Sequence, residues 1–296
     1  MNNHKAGFVN IIGKPNVGKS TLMNALTNEK LSIVTPKAQT TRHRIRAIIN
    51  GDNYQIVFSD TPGILQTSYL LHEKMMESVY SALEDADIII YVVECGEKTI
   101  EENILRKLVN REMPLYLVIN KIDKSDQKML EETITFWSPQ LNPDSVFPLS
   151  ALEKFGTTEL FNAIIDKLPL SPPYFDKEDD SLSDRSDRFF AAEMIREKIF
   201  LNYKKEIPYS SQVEIESFKE EADMNRIRAV IFVERDSQKG ILIGHKGEML
   251  KKVGTEARQD MEKFFGRKVY LELFVKVRED WRNKQNFLRN FGYDNQ

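Results

Sequence analysis

GKPNVGKS, residues 13–20, matches the pattern G-x-x-x-x-G-K-[S/T] and sits between the apolar run FVNII (8–12) and a helical stretch from Lys19 to Asn28. Strand, glycine loop and helix in that order form a phosphate cradle. The glycines let the backbone wrap an anion so that successive N–H groups point inward, at the positive end of a helix dipole. Lys19 supplies a cation for the β and γ phosphates, and the Ser20 hydroxyl is a magnesium ligand. Gly13, Lys14, Pro15, Asn16, Val17, Gly18, Lys19, Ser20 and Thr21 are therefore expected to hold a nucleotide.

Outward from this loop, strands alternate with helices as far as residue 170. RAII (46–49) and YQIVFSD (54–60) read as strands joined by a turn at Asn50-Gly51-Asp52. A helix over 69–84 precedes DIIIYVVE (87–94), whose β-branched run suits a strand buried on both faces. Helices over 99–111, 125–137 and 156–168 alternate with the strands PLYLVINK (114–121) and SVFPLS (145–150). The alternation predicts an α/β domain over 1–170, with a mostly parallel sheet covered by helices on both faces. Ligands in such folds sit beyond the carboxyl ends of the strands.

The segment PLSPPYFDKEDDSLSD (169–184) has three prolines and an acidic run, and a linker is expected over 171–187. The architecture then changes. A helix over 187–204, two alternating strands SQVEIESFKE and NRIRAVIFVERD, a turn at GILIGHKG entering a long helix, the strand KVYLELFVKV (268–277) and a final amphipathic helix predict an α+β domain over 188–296.

Composition bounds the function. The 296 residues are 41% apolar and 29% charged, ordinary for globular domains, and the length suits two of them. Cys95 is the only cysteine, which excludes an internal disulfide and a Cys-based metal site and fits a reducing, cytoplasmic setting. Four scattered histidines argue against a His-built site, and no apolar run reaches membrane-spanning length. The polar start MNNHKAG is no secretory signal. A net charge of -3 requires that any nucleic-acid binding come from a local patch.

Three further motifs narrow the nucleotide. Asp60-Thr61-Pro62-Gly63 ends a strand, where the aspartate can reach magnesium and the Gly63 N–H a γ-phosphate. Asn120-Lys121-Ile122-Asp123 ends another. The Asp123 carboxylate accepts from guanine N1–H and the exocyclic amine, a donor pair that adenine lacks. Asn120 can hold the loop and reach guanine N7, and the Lys121 stem can pack over the ring. Ser150-Ala151-Leu152 follows the next strand and offers the Ala151 N–H to guanine O6.

These motifs, in this order and spacing, resemble the translation-factor-related class of P-loop GTPases, which implies GTP/GDP and Mg2+ as ligands. The resemblance makes Ala38-Gln39-Thr40-Thr41-Arg42-His43 the first switch, with Thr41 (Thr40 second) closing onto magnesium beside Ser20 and Asp60, and Lys19, Thr41 and Gly63 as the catalytic set. Ile64 stands where many relatives place a water-orienting glutamine, so slow intrinsic hydrolysis is expected. Asn16 occupies the position that ligates K+ in potassium-activated relatives.

In the second domain Ile243-Gly244-His245-Lys246-Gly247 offers a GXXG loop at a helix start, where a nucleic-acid backbone can approach. The element order around it resembles a type II KH domain. From residue 238 onward there are 13 Lys+Arg against 8 Asp+Glu, and Lys251 and Lys252, with Lys239 and Arg278, are candidate phosphate contacts. A P-loop GTPase domain followed by one such domain resembles the Era family, bacterial GTPases of small-ribosomal-subunit assembly. That likeness implies binding near the 3′ end of small-subunit ribosomal RNA, a monomer, and partial peripheral association with the inner membrane face. The residues alone leave two alternatives: a nucleotide kinase or ATPase, against which Asp123 argues, and an RNA chaperone whose nucleotide is structural.

Overall fold

The computed structural model describes residues 4–99, 101–177 and 182–294. The leading MNN, position 100 of the helix expected over 99–111, and residues 178–181 of the acidic run lie outside the described residues. Contacts divide the chain into two units. The first comprises the chain up to Ser32, Thr41–Thr67 and His72–Asp184; the second comprises Ile33–Thr40, Ser68–Leu71 and the chain from Arg185 onward.

In order, the first part of the chain forms β1 (Lys5–Gly13), α1 (Lys19–Thr27), β2 (Ile45–Asn50), β3 (Tyr54–Asp60), α2 (Leu70–Glu84), β4 (Ile88–Glu94), α3 (Glu102–Val109), β5 (Leu115–Asn120), α4 (Gln127–Leu141), β6 (Ser145–Pro148) and α5 (Thr157–Lys167). The sheet order is β2-β3-β1-β4-β5-β6. Its pairs are parallel except β2 with β3. Burial explains the strands: β4 is IIIYVVE, and six of its seven residues are buried, so only a sheet covered on both faces can accommodate it. One face packs Met76, Val79 and Leu83 of α2, Ile104 and Leu108 of α3, and Trp137 and Leu141 of α4. On the other, Phe161 of α5 meets Tyr54 and Phe58 of β3. β1, β3 and β5 thus deliver Gly13, Asp60 and Asn120 to the same carboxyl edge.

α4 runs four residues past its expected end at 137, with Pro139 in its last turns and Asn142 left-handed at the cap. Its start is fixed by Asp126, whose Oδ1 accepts from the Met129 N–H at 2.8 Å.

The expected linker is for the most part tied down. Leu170 bridges Lys5 and Ser183 bridges Ala47. The Gln55 amide accepts from Tyr174 and Phe175 N–H at 2.7 and 3.0 Å. Lys177 Nζ donates to the Gly51 carbonyl at 2.9 Å, and Ile48 N–H donates to the Leu182 carbonyl at 2.9 Å. The contacts at Ala47 and Ile48 cover part of the edge of β2, and the unit boundary falls after Asp184 rather than at 170. Proline and charge signalled a break in the helix pattern but not where the segment docks.

In the second unit α6 (Asp187–Asn202), α7 (Ile207–Ser210), β7 (Gln212–Glu220), β8 (Met224–Val233), α8 (Asp236–Ile243), α9 (Glu248–Phe265), β9 (Lys268–Val277) and α10 (Gln285–Asn290) follow. The sheet runs β7-β8-β9, antiparallel then parallel. Phe190 of α6 packs against Phe264 of α9, with the rings tilted by 40° and 5.1 Å between their centres. Two expectations change. Residues 240–243, expected in a turn, close α8, and the final helix is cut to Gln285–Asn290 because Lys284, at φ -106° and ψ 111°, is extended and separates it from a short turn over Trp281–Asn283.

Candidate functional site

The phosphate loop is stitched to its surroundings by short polar contacts. Lys19 is buried, and its Nζ donates to the Lys14 carbonyl at 2.8 Å. Burial lowers its pKa to about 8, against the pull of Asp60 and Glu97. Lys14 pairs with Glu97 at 2.9 Å and also donates to the Thr99 carbonyl. A Cβ on Gly63 would lie 2.6 Å from the Pro15 nitrogen, so only glycine lets the Asp60–Gly63 turn press against the loop. Thr61 Oγ1 donates to the Ile11 carbonyl and Ile64 N–H to the Gly13 carbonyl, closing that contact. The Ile64 side chain lies in the apolar cluster with Ile12 and Met76, not among polar groups.

Three hard oxygens meet beside the loop. Ser20 Oγ donates to Asp60 Oδ2 at 2.6 Å, and Thr41 Oγ1 lies 2.8 Å from Ser20 Oγ and 3.4 Å from Asp60 Oδ2. Asp60 is fully buried, and its Oδ1 has no hydrogen-bond partner. Burial raises its pKa, opposed first by the Lys19 charge and then by the Ser20 and Thr41 hydroxyls. An unpartnered buried carboxylate oxygen beside two hydroxyls suits a hard divalent cation, and this donor set fits Mg2+. Thr40 does not join it: its Oγ1 meets Thr35 Oγ1 and the Lys37 carbonyl, each at 2.6 Å.

At the neighbouring strand ends, Asn120 spends its amide on architecture. Its Nδ2 donates to the Val17 carbonyl at 2.7 Å, and its Oδ1 accepts from Ala151 N–H at 2.9 Å. The Ala151 N–H, expected to face guanine O6, is thus engaged with Asn120 in this structure. Asp123 Oδ1 accepts from Ser150 Oγ at 2.5 Å, which leaves Oδ2 for a ligand. Lys121 is left-handed at φ 65°, and its Nζ pairs with Glu94 at 2.6 Å. Leu152 stands exposed beside them. Asn16, also left-handed at φ 65°, shapes the turn before Val17.

In the second unit the GXXG turn sits between α8 and α9. Gly244 has φ 74°, and a Cβ there would strike Met249 at 2.7 Å; Gly247 has φ 82° and faces open space. His245 and Lys246 are exposed and Ile243 is partly covered. Beside Gly247 a groove of about 360 Å³ is lined by Leu250, Lys251, Gly254, Thr255, Arg258, Leu271 and Leu273. Its lining combines apolar Leu250, Leu271 and Leu273 with cationic Lys251 and Arg258, the latter paired with Glu262 at 2.7 Å, a mixture that suits bases and phosphates. A Cβ on Gly254 would meet Leu273 at 3.2 Å, so glycine sets the helix-to-strand spacing. Lys251 lines this groove; Lys252 does not, and lies near Glu256 instead. Sequence reasoning missed Gly254 and Arg258, although their spacing from Gly247 and Lys251 on one helix face could have indicated them.

Comparison with known proteins gives the family. Residues 8–121 match the family described as 50S ribosome-binding GTPase, and residues 206–282 match the KH domain. The GTPase Era of Syntrophus aciditrophicus is 47% identical, the match covering 98% of this chain and 95% of that protein. Its counterpart in Geobacter metallireducens is 45% identical, with 99% of each covered. Among solved structures, a variant of Aquifex aeolicus Era bound to GDP.AlF4- superposes with a TM-score of 0.92 at 39% identity, covering 98% of this chain and 99% of that one. An Era in complex with MgGDPNP and nucleotides 1506–1542 of 16S ribosomal RNA gives 0.91 at the same identity and coverage.

Proposed function

The chain belongs to the Era family of GTPases and hydrolyses GTP with Mg2+, and from that premise we propose that it is a nucleotide switch whose second unit binds the 3′ region of small-subunit ribosomal RNA during subunit assembly. The observation that carries the switch is the meeting of Ser20, Thr41 and Asp60 oxygens around an unpartnered Asp60 Oδ1. Bound there, magnesium would neutralise β- and γ-phosphate charge.

The roles of this chain's own groups follow from their placement. The Gly13–Ser20 backbone and Lys19 hold the phosphates. A triphosphate beside Lys19 offsets the cost of burying its charge and keeps it protonated. Gly63 N–H is assigned to the γ-phosphate, Thr41 to the metal, and Asp123 Oδ2 to the guanine edge. Ile64, withdrawn into the core, orients no water, which accords with slow intrinsic turnover. Asn16 is assigned to K+ on the family likeness. In the second unit the loop from Ile243 to Gly247, with Lys251 and Arg258, is assigned to single-stranded RNA; the Era complex with 16S ribosomal RNA supports that partner. A monomeric, cytoplasmic protein with partial peripheral association at the inner membrane face is proposed on the likeness alone. Among the described residues no helix is long and apolar enough to cross a membrane.

Measuring GTP turnover with and without a 16S 3′-end RNA, in K+ and in Na+, with ATP as competitor, tests this function. Turnover that ATP fails to suppress and RNA or K+ accelerates is expected. Equal competition by ATP would overturn the guanine assignment.

A further inference from the structure

The face of the β7-β8-β9 sheet turned away from α9 is covered over only part of its length. Phe232 of β8 is buried against Phe291, 5.5 Å between ring centres. Toward the start of β8, Arg226 and Arg228 are exposed, as are Tyr270 and Phe274 of β9. Strand alternation sets the two rings apart from Leu271 and Leu273, which line the groove beside Gly247 on the other face. β9 is an edge strand of the sheet. One strand therefore separates the groove from the open face, and a chain leaving the groove over that edge arrives at Tyr270 and Phe274.

Each exposed ring carries a guanidinium. Arg226 stands opposite Tyr270 in the ladder, 4.7 Å from its ring centre, and Arg228 lies 4.3 Å from that of Phe274. Both arginines also meet a carboxylate, Glu221 and Glu216, each at 3.1 Å and each through Nε. Glu216 is shared with Lys276 at 2.7 Å. Among the described residues the Nη groups of Arg226 and Arg228 form no hydrogen bond. Exposed arginine–ring contacts add little to a sheet that β-branched pairs would not. What they provide here is two flat cations, each backed by a ring, with the forked ends open. Such a fork matches a phosphate, and the flat outer surface of the pair suits a base. Two residues along one strand span about 6.8 Å, close to the separation of successive phosphates in an extended single strand.

We propose that this face is a second contact surface for single-stranded RNA: the forks of Arg226 and Arg228 hold phosphates, and bases stack on the Arg226–Tyr270 and Arg228–Phe274 pairs. It continues the path of a strand held in the groove, and so rests on the reading of that groove as an RNA site. Every nucleotide has a phosphate and every base a π-face, so this surface adds affinity and length of contact but reads no sequence.

The test uses the full chain and two RNAs rich in adenine and cytosine. One has about four nucleotides, which the groove accommodates, and the other about twelve. Chemical-shift titration reads the short one, fluorescence anisotropy the long one. Arg226→Gln with Arg228→Gln removes both charges; Tyr270→Leu with Phe274→Leu removes both rings. Each double variant should bind the longer RNA about tenfold more weakly, with the shorter RNA's affinity and the melting temperature close to wild type. The arginine variant should also reduce the slope of log affinity against log salt by about 1.4, the share of two phosphates on a single strand. The ring variant should leave that slope in place. Wild-type affinity for the longer RNA in either folded variant would overturn the proposal and turn attention to a protein as the occupant of this face. An unaltered salt slope in the arginine variant would overturn it as well. Failure of the shorter RNA to bind the wild-type chain would instead overturn the reading of the groove.

Discussion

The Asn120 amide joins the end of β5 to the phosphate loop, donating to the Val17 carbonyl at 2.7 Å. Through its other atom it holds the Ala151 N–H, so one side chain sets the distance between base reader and phosphate cradle. Gly18 must be glycine for the same reason: a Cβ there would lie 2.2 Å from Asn120 Nδ2. Asn120→Ala should therefore lower both thermal stability and nucleotide affinity, by about 2–4 kcal/mol together, since a buried carbonyl and N–H lose their partners. Calorimetry and melting curves check it; a loss of affinity without a loss of stability would limit Asn120 to ligand contact.

Asp123→Asn should weaken GTP binding and shift preference toward xanthine nucleotide, whose extra carbonyl accepts from the new amide. Ser150 Oγ already holds one carboxylate oxygen, so the substitution keeps the loop in place and changes the free edge. Competitive binding of GTP and xanthosine triphosphate reads this directly. Unchanged GTP affinity would remove Asp123 as the base reader.

Lys19 gives a pH dependence whose sign follows from burial. Its pKa is about 8 in the ligand-free protein, against 10.5 when unfolded. Between these values the unfolded chain carries more protons, so the group's contribution to stability improves as pH rises. Phosphate affinity moves the other way, because only the protonated amine pairs with an anion. Affinity should fall by up to roughly tenfold per pH unit above 8, and binding near pH 8 should take up a proton. Calorimetry in buffers of different ionisation enthalpy measures that proton. Lys19→Ala should abolish both the uptake and most of the affinity without unfolding the protein.

Gly247→Asp should abolish RNA binding and leave hydrolysis in the absence of RNA near wild type. A Cβ there meets no protein atom, so the added carboxylate projects toward the ligand side and repels phosphate. Its φ of 82° adds a local strain of about 1–2 kcal/mol. Mobility of a short RNA rich in adenine and cytosine is the readout, with wild-type affinity as the contrary result.

Much of this was legible in the sequence because its motifs sit at strand ends, where backbone geometry leaves few options. GKPNVGKS, DTPG and NKID each announce a loop at the carboxyl edge of a strand, and the sheet brings them together. The groove beside Gly247 was legible only at its loop, since Gly254 and Arg258 gain meaning once α9 packs on β9. The docking of Leu170 on β1, of Tyr174 and Phe175 on Gln55 of β3, and of Leu182 and Ser183 on β2 was not legible at all. Its bonds are mostly to backbone carbonyls and to Gln55, and a chain's backbone partners leave no mark in its composition.

Nucleotide state is expected to govern RNA affinity, which is tested by measuring that affinity with a non-hydrolysable GTP analogue and with GDP at one fixed salt concentration. Tighter binding with the analogue is expected, by a coupling of about 1–3 kcal/mol, and by linkage RNA must favour GTP over GDP to the same extent. Thr41→Ala should shrink the difference and leave GDP binding almost unchanged. Equal RNA affinity in both nucleotide states would contradict the switch and leave two independent binding units on one chain.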